Sequence, residues 1–216
     1  EQYRFVLPGS PLHRAEWDAV LERLVSLPQH PKFVVASGSV PPGAPDDFFA
    51  RVARQAKTLG AKSVIDTSGP ALAAAINEGV SIIKPNLIEL KEFVAASLET
   101  DEDRIAACRK LAADGRAEIV ALTLGDQGAL LVTAERTWRA LPLRIDAVST
   151  VGAGDSFVGG LVAALAGGKP LDEAFRVAVA AASAAVMMPG TGLCQPEDVK
   201  RLLREVKIKE IARALV

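Results

Sequence analysis

Apolar positions along the chain come in short runs that alternate with longer amphipathic stretches. Phe33-Val34-Val35-Ala36-Ser37 is continuous enough for a buried strand, and Gly38 with Pro41-Pro42-Gly43 ends it. Residues 46–59 set Phe49, Val52, Ala53, Ala56 and Leu59 near helical spacing, and Gly60 suits a C-terminal cap. The same logic predicts strands over 63–66, 80–84, 119–124 and 129–133, and helices over 70–77, 87–97 and 101–113. Gly125-Asp126-Gln127-Gly128 joins the last two strands in a hairpin or tight turn, with 137–141 as a further pairing strand. Three helices follow, over 155–165, 171–188 and 196–206; the small residues of the first two predict close helix packing. Alternating strands and helices, with near-continuous apolar strands, predict one α/β domain over residues 1–216, its mostly parallel sheet covered on both faces.

Composition narrows the partners. Hydrophobic residues at 50% and charged residues at 24% are ordinary for a globular chain of 216 residues. Twenty-five Lys+Arg against 26 Asp+Glu leave a net charge of -1, which argues against a generic nucleic-acid binder but leaves small anionic ligands open. Cys108 and Cys194 form no CxxC pair and no disulfide framework, so a reduced, cytoplasmic setting is the simplest expectation, with both thiols buried as small hydrophobes. No apolar run approaches the ~20 residues of a membrane span. Glu1-Gln2-Tyr3-Arg4-Phe5 lacks a signal peptide's apolar core, and Trp17 and Trp138 read as packing residues.

Four segments carry chemistry. In Ser149-Thr150-Val151-Gly152-Ala153-Gly154-Asp155-Ser156-Phe157 a Gly-Ala-Gly turn opens a helix, and free N–H groups at a glycine-lined helix start form an anion hole. An N-cap aspartate after an ordinary loop explains the same residues about equally well. A Walker A loop is excluded because Gly168-Lys169 is followed by Pro170, and a dinucleotide fingerprint would need glycine in place of Phe157. Lys84-Pro85-Asn86-Leu87-Ile88-Glu89 is a strand end followed by a capping-box pattern. At the carboxyl end of a parallel strand, Asn86 and Glu89 are also placed to order water around Mg²⁺. Lys84 is either a phosphate ligand or a solvated strand-end lysine. Thr123-Leu124-Gly125-Asp126-Gln127-Gly128 and Ser37-Gly38-Ser39-Val40-Pro41-Pro42-Gly43 read in isolation as turns at strand ends.

Taken in order, these four segments resemble the PfkB (ribokinase-like) carbohydrate kinases, over essentially the whole chain to about residue 206. Thr150-Val151-Gly152-Ala153-Gly154-Asp155-Ser156 resembles the family's C-terminal signature, and Lys84-Pro85-Asn86 through Glu89 its magnesium and phosphate motif. The 1–5 segment, Ser37 to Gly43 and Gly190-Thr191-Gly192-Leu193-Cys194 are most similar to the 6-phosphofructokinase branch. The 1-phosphofructokinase and tagatose-6-phosphate kinase branches are close neighbours. The resemblance implies a ribokinase-like three-layer α/β/α sandwich and an ATP-dependent kinase of a sugar phosphate, with fructose 6-phosphate the expected acceptor. It implies Asp155 as the base, Gly152, Ala153 and Gly154 as the anion hole, and Asn86 and Glu89 as holders of hydrated Mg²⁺. Lys84, Thr123, Gly125 and Gly128 fall on nucleotide contacts, Val179, Ala182 and Ser183 on the adenine pocket, and Ser37, Gly38 and Ser39 on the substrate side. Ser149, Val151 and Gly190 fall on a monovalent-cation site (K⁺) built from backbone carbonyls. The helix dipole favours the negative charge of Asp155, and positioning and charge stabilisation carry most of such catalysis.

The resemblance begins partway along the family's chain. It therefore implies that the first sheet strands, the lid, most sugar contacts and the usual homodimer interface have no counterpart here, Arg4 being either a last remnant of the substrate end or a surface residue. The expectation is an uncovered sheet edge, weak ATP binding and little turnover from this chain alone. A non-catalytic nucleotide-binding or oligomerising fragment is the rival reading.

Overall fold

The computed structural model describes residues 9–212. Strand residues alternate between two separate cores, and this alternation builds the layers. In β2 (Lys62–Asp66), Ile65 faces one core and Val64 the other; in β3 (Val80–Ile83), Ile83 and Ile82 divide likewise. The first core packs the sheet against α1 (Arg14–Val25), α2 (Phe48–Thr58), α3 (Gly69–Glu78), α4 (Leu87–Val94) and α5 (Asp101–Ala113). The second packs it against α6 (Ala153–Ala166), α7 (Leu171–Val186) and α8 (Pro196–Leu203). The result is the expected three-layer α/β/α sandwich.

The sheet runs in chain order from β1 (Phe33–Ser37) through β2, β3, β4 (Ala117–Thr123), β5 (Ala129–Val132) and β6 (Thr137–Ala140) to β7 (Ile208–Glu210). β1 to β4 are mutually parallel, joined by helices as parallel strands require. β4, β5, β6 and β7 then pair antiparallel, the first two through a short 3₁₀ turn at Gly125–Gln127. β1 is an edge strand, and its Val35 is 45% exposed.

α6 and α7 approach closely because their shared face is small. A Cβ at Gly160 would stand 3.0 Å from the Ala181 Cβ and 3.1 Å from the Val177 carbonyl oxygen. Cys108 is buried as expected, and burial pushes its thiol up to about 12; Cys194 is half-buried. Trp17 and Trp138 both pack into the cores.

Two elements went unpredicted. α1 buries only Trp17 and starts from a His13–Glu16 capping box instead of the usual Ser, Thr or Asp signal, so its pattern is faint. β7 is three residues long and follows from its pairing with β6 alone. The helix predicted over 87–97 stops at Val94, because Ala95 turns left-handed at φ 52°. The helices predicted over 171–188 and 196–206 stop at Val186 and Leu203.

Candidate functional site

The parallel strands β1, β2, β3 and β4 end side by side, and chemistry collects at their carboxyl ends, where open α/β sheets bind ligands. Ser37 ends β1 and Asp66 ends β2. Lys84 follows β3, and Thr123 ends β4. The Lys84 ammonium lies 3.0 Å from Asp66 Oδ1. Lys84 is only 6% exposed, so the solvated strand-end alternative fails: this cation sits inside the protein against one carboxylate. Burial pushes the Asp66 carboxyl above its usual range. The Lys84 charge and hydrogen bond oppose that shift, and the negative charge of Asp155 adds to it.

Asp155 enters from the opposite layer, in the first turn of α6. The Ser37 hydroxyl donates to Asp155 Oδ1 at 3.1 Å and lies 3.5 Å from Asp66 Oδ2. The Ser37 hydroxyl thus lies between the two carboxylates and joins β1 to a residue 118 positions further along the chain. The helix start that carries Asp155 is shaped by Gly152, whose φ of 79° suits glycine. No side chain caps it; the Ala153 N–H makes a long 3.5 Å bond to the Thr150 carbonyl, and the N–H groups of Gly154 and Asp155 have no intrahelical acceptor. Gly154 comes close to the ion pair: a Cβ there would stand 3.4 Å from Lys84 Nζ and 3.7 Å from Asp66 Oδ2. Asp155, Gly154, Lys84 and Ser37 are therefore one constellation.

The N–H of Asn86 donates to Glu89 Oε2 at 2.8 Å, and the N–H of Glu89 donates to Asn86 Oδ1 at 2.9 Å. The capping box is real and occupies one Glu89 oxygen, leaving Oε1 outside it. Asn86 also bridges to Thr123 in parallel fashion, and the Thr123 N–H donates to the Pro85 carbonyl at 3.0 Å. This chains the Lys84–Glu89 and Thr123–Gly128 segments together.

Beside Ala153 and Gly154 opens a cavity of about 440 Å³. One wall is Thr123, Gly125, Asp126 and Gly128; another is Val179, Ala182 and Ser183 on α7; a third is Leu141, Pro142 and Leu143 after β6. Every nucleotide-side residue expected from the sequence except Lys84, Asn86 and Glu89 lines it. Gly128 permits the fit. Its φ is 92°, and a Cβ there would meet the Ala140 carbonyl oxygen at 2.3 Å. A second hollow of about 420 Å³ lies beyond Asp155, along Ser37, Val35, Val158, Gly159, Val162 and Ala163, beside the β1 edge. Asp155 lines this second hollow, and its chain neighbours Ala153 and Gly154 line the first.

The segments assigned to a monovalent cation also meet. The Ser149 hydroxyl donates to the Gly190 carbonyl at 3.0 Å, and the Val151 N–H donates back to Ser149 Oγ at 3.2 Å. Gly38 and Ser39 follow β1 into a bend; the Gly38 N–H donates to the Asp66 carbonyl at 2.9 Å, and Ser39 is exposed. Among the described residues no three His, Cys, Asp or Glu side chains form a metal cluster, and no helix is long and apolar enough to cross a membrane. Arg4 and the rest of residues 1–5 lie outside the described residues.

Asp66, ion-paired to Lys84 within this constellation, is the candidate site residue that sequence reasoning missed. Its signal was present, since it is the last residue of a predicted parallel strand.

Comparison with known proteins places the chain among characterised relatives. The ATP-dependent 6-phosphofructokinase isozyme 2 of Mycobacterium tuberculosis is 41% identical over 201 residues, which cover 93% of this chain and 59% of the relative. The 1-phosphofructokinase of Rhodobacter capsulatus is 37% identical over 205 residues, covering 94% and 65%. Phosphofructokinase-2 from Escherichia coli, solved in complex with potassium, superposes with a TM-score of 0.89 at 36% identity and covers 95% of this chain and 66% of its own. Ribokinase of Arabidopsis thaliana shares the fold, with a TM-score of 0.66. The chain thus spans about six tenths to two thirds of the length of these relatives. Residues 2–198 match the pfkB family of carbohydrate kinases, and the chain belongs to that family.

Proposed function

We propose that this chain carries the nucleotide and phosphoryl-transfer machinery of an ATP-dependent sugar-phosphate kinase, with fructose 6-phosphate as the acceptor. The observation that carries this reading is the position of Asp155. It sits in the first turn of α6, hydrogen-bonded to Ser37, where it lines one hollow while its neighbours Ala153 and Gly154 line a nucleotide-sized cavity. In this arrangement the cavity along Thr123, Gly125, Gly128, Val179, Ala182 and Ser183 holds the nucleoside. Its phosphates run past Gly152, Ala153 and Gly154 toward Lys84. The first-turn N–H groups of α6 and the Lys84 ammonium meet the charge that spreads over the transferred phosphoryl group. Asp155 takes the proton of the attacking hydroxyl, and Ser37 fixes the carboxylate's direction.

Asn86 and Glu89 suit a hydrated Mg²⁺, since Glu89 keeps one oxygen outside its capping box. Mg²⁺ bound there supplies charge neutralisation to the phosphates. The backbone carbonyls around Ser149, Val151 and Gly190 suit K⁺, the ion named with the E. coli relative.

Phosphorylation of fructose 1-phosphate is the second reading, because a 1-phosphofructokinase and the E. coli 6-phosphofructokinase isozyme match this chain at the same 37% identity. The test is ADP release from MgATP with each acceptor in turn. It is run with the 216-residue chain and with a version extended at its N-terminus to the length of the relatives. The proposal expects release with fructose 6-phosphate in the extended protein at least. Release only with another acceptor overturns the substrate, and release with none overturns the kinase reading.

A further inference from the structure

The turn Gly125–Gly128 forms one wall of the 440 Å³ cavity through Gly125, Asp126 and Gly128. Within it the Gln127 N–H donates to Leu124 and the Gly128 N–H to Gly125, both at 3.1 Å. The Leu124 N–H also donates to the Gly128 carbonyl at 2.9 Å and closes the turn where β4 and β5 pair. Two arginines at distant positions anchor it further. Arg139, on β6, donates from Nη2 to the Gln127 carbonyl at 2.7 Å and from Nη1 to the Ala140 carbonyl at 2.6 Å. A longer bond of 3.3 Å runs from the same Nη1 to the Ala129 carbonyl. One planar guanidinium therefore ties the turn, the strand after it, and the start of the Leu141–Leu143 wall. Arg104, on α5, reaches the same turn through Gln127 Oε1 at 3.3 Å and holds the Leu98 and Glu99 carbonyls at 3.2 and 3.1 Å.

Asp101 joins the two. Its Oδ2 accepts from Arg139 Nε at 2.7 Å and its Oδ1 from Arg104 Nη1 at 2.9 Å. Both guanidiniums are largely withdrawn from water, at 15% and 10% side-chain exposure. Removing the carboxylate would leave two poorly solvated cations facing one another, which is costly. There is no slack between clamp and turn, because a Cβ on Gly128 would stand 3.1 Å from Arg139 Nη1. None of the three charged residues lines the cavity, so they act on a bound nucleotide only through the turn and the backbone of Ala129 and Ala140 beside it.

We propose that Asp101, Arg104 and Arg139 are positioning residues that hold the Gly125–Gly128 turn in its binding shape and thereby set the chain's affinity for nucleotide. The inference rests on the reading of the large cavity as the nucleotide site. It makes affinity for MgATP depend on an ion-pair network at the start of α5, outside the motifs that resemble the family's.

The test is titration of the 216-residue chain with a fluorescent ATP analogue and Mg²⁺, well below its melting temperature. Unaltered chain, Asp101→Asn, Arg139→Lys and a control, Arg136→Gln, are compared. Arg136 pairs with Glu210 on the exposed face of the sheet edge and does not touch the turn. Asp101→Asn is expected to weaken binding by roughly tenfold, within the range for breaking a coupled charge network. Arg139→Lys, which keeps its charge for Asp101 but loses the fork to the turn, is expected to weaken binding by an intermediate factor. The control should bind as the unaltered chain does. A purely structural role would lower the melting midpoint but leave the dissociation constant of the folded variant unchanged. Folded variants binding within about twofold of the unaltered chain would overturn the proposal. Should Asp101→Asn fail to fold, Arg139→Lys decides by the same criterion. Absence of binding by the unaltered chain is a different result: it overturns the nucleotide reading, and the positioning proposal with it.

Discussion

Asp66 and Asp101 are each paired with buried cations, yet their carboxyls move in opposite directions. Asp66, at the strand ends facing α6, has one lysine partner and a second carboxylate nearby; burial dominates and pushes it up. At the turn clamp, burial also pushes Asp101 up. There the hydrogen bonds and charges of Arg139 and Arg104 outweigh it and hold the carboxyl below its usual range. The difference is one of cation supply. The clamp has two guanidiniums for one carboxylate and is built to stay put. The strand-end site has one ammonium for two carboxylates, a balance that a further cation would improve. A region that holds shape and a region short of cations are thus distinguishable by their ion balance.

The largest expected effect separates chemistry from binding at the strand-end site. In the N-terminally extended protein, Asp155→Asn should lower acceptor-dependent ADP release by about 10²–10⁴-fold, the usual worth of a general base. Affinity for MgATP should change little, measured by titration; retained turnover would remove Asp155 from its role. Next comes the ion pair. Lys84→Met strands the buried Asp66 carboxylate and should cost about 3–5 kcal/mol in urea unfolding, whereas adding Asp66→Asn to it should recover most of that loss. If the double variant is no more stable than the single one, the pair is not coupled as described.

A smaller effect belongs to the scaffold. Gly160→Val drives two methyl groups into Ala181 and the α7 backbone and should cost about 1–3 kcal/mol, read as a lower melting temperature. The smallest is the pH signature of the two aspartates. With a raised value, the stabilising contribution of Asp66 is full below the ordinary carboxylate range and is lost as pH rises through the raised value. With a lowered value, the contribution of Asp101 is present above that range and is lost as pH falls through the depressed value. Carboxyl-carbon NMR titration should show the two inflections on opposite sides of the ordinary value. Inflections on the same side would dissolve the contrast.

The layers, the parallel half of the sheet and most helices were legible because each rests on a local signal, such as the alternation in Ser63-Val64-Ile65-Asp66 or the spacing around Phe49. The glycine turn before Asp155 and the Lys84–Glu89 run were legible for the same reason. The missing parts depend on distance. Asp66 becomes functional only when β3 delivers Lys84 beside it and α6 brings Asp155 in from the opposite layer. The clamp unites Asp101, Arg104, Gln127 and Arg139 from three elements, and each alone is an ordinary surface-type residue. α1 and β7 draw on pairing and packing partners far along the chain, with little pattern of their own.

The central claim is that the strand ends and the start of α6 form one nucleotide and phosphoryl-transfer site. Addition of MgATP to the isotopically labelled chain, followed by backbone amide NMR, tests it most directly. The account predicts that the largest shifts fall on Thr123, Gly125, Gly128, Gly152 to Asp155 and Ser183, at the cavity and the helix start together. Shifts confined to another face, or none at saturating MgATP, would contradict it.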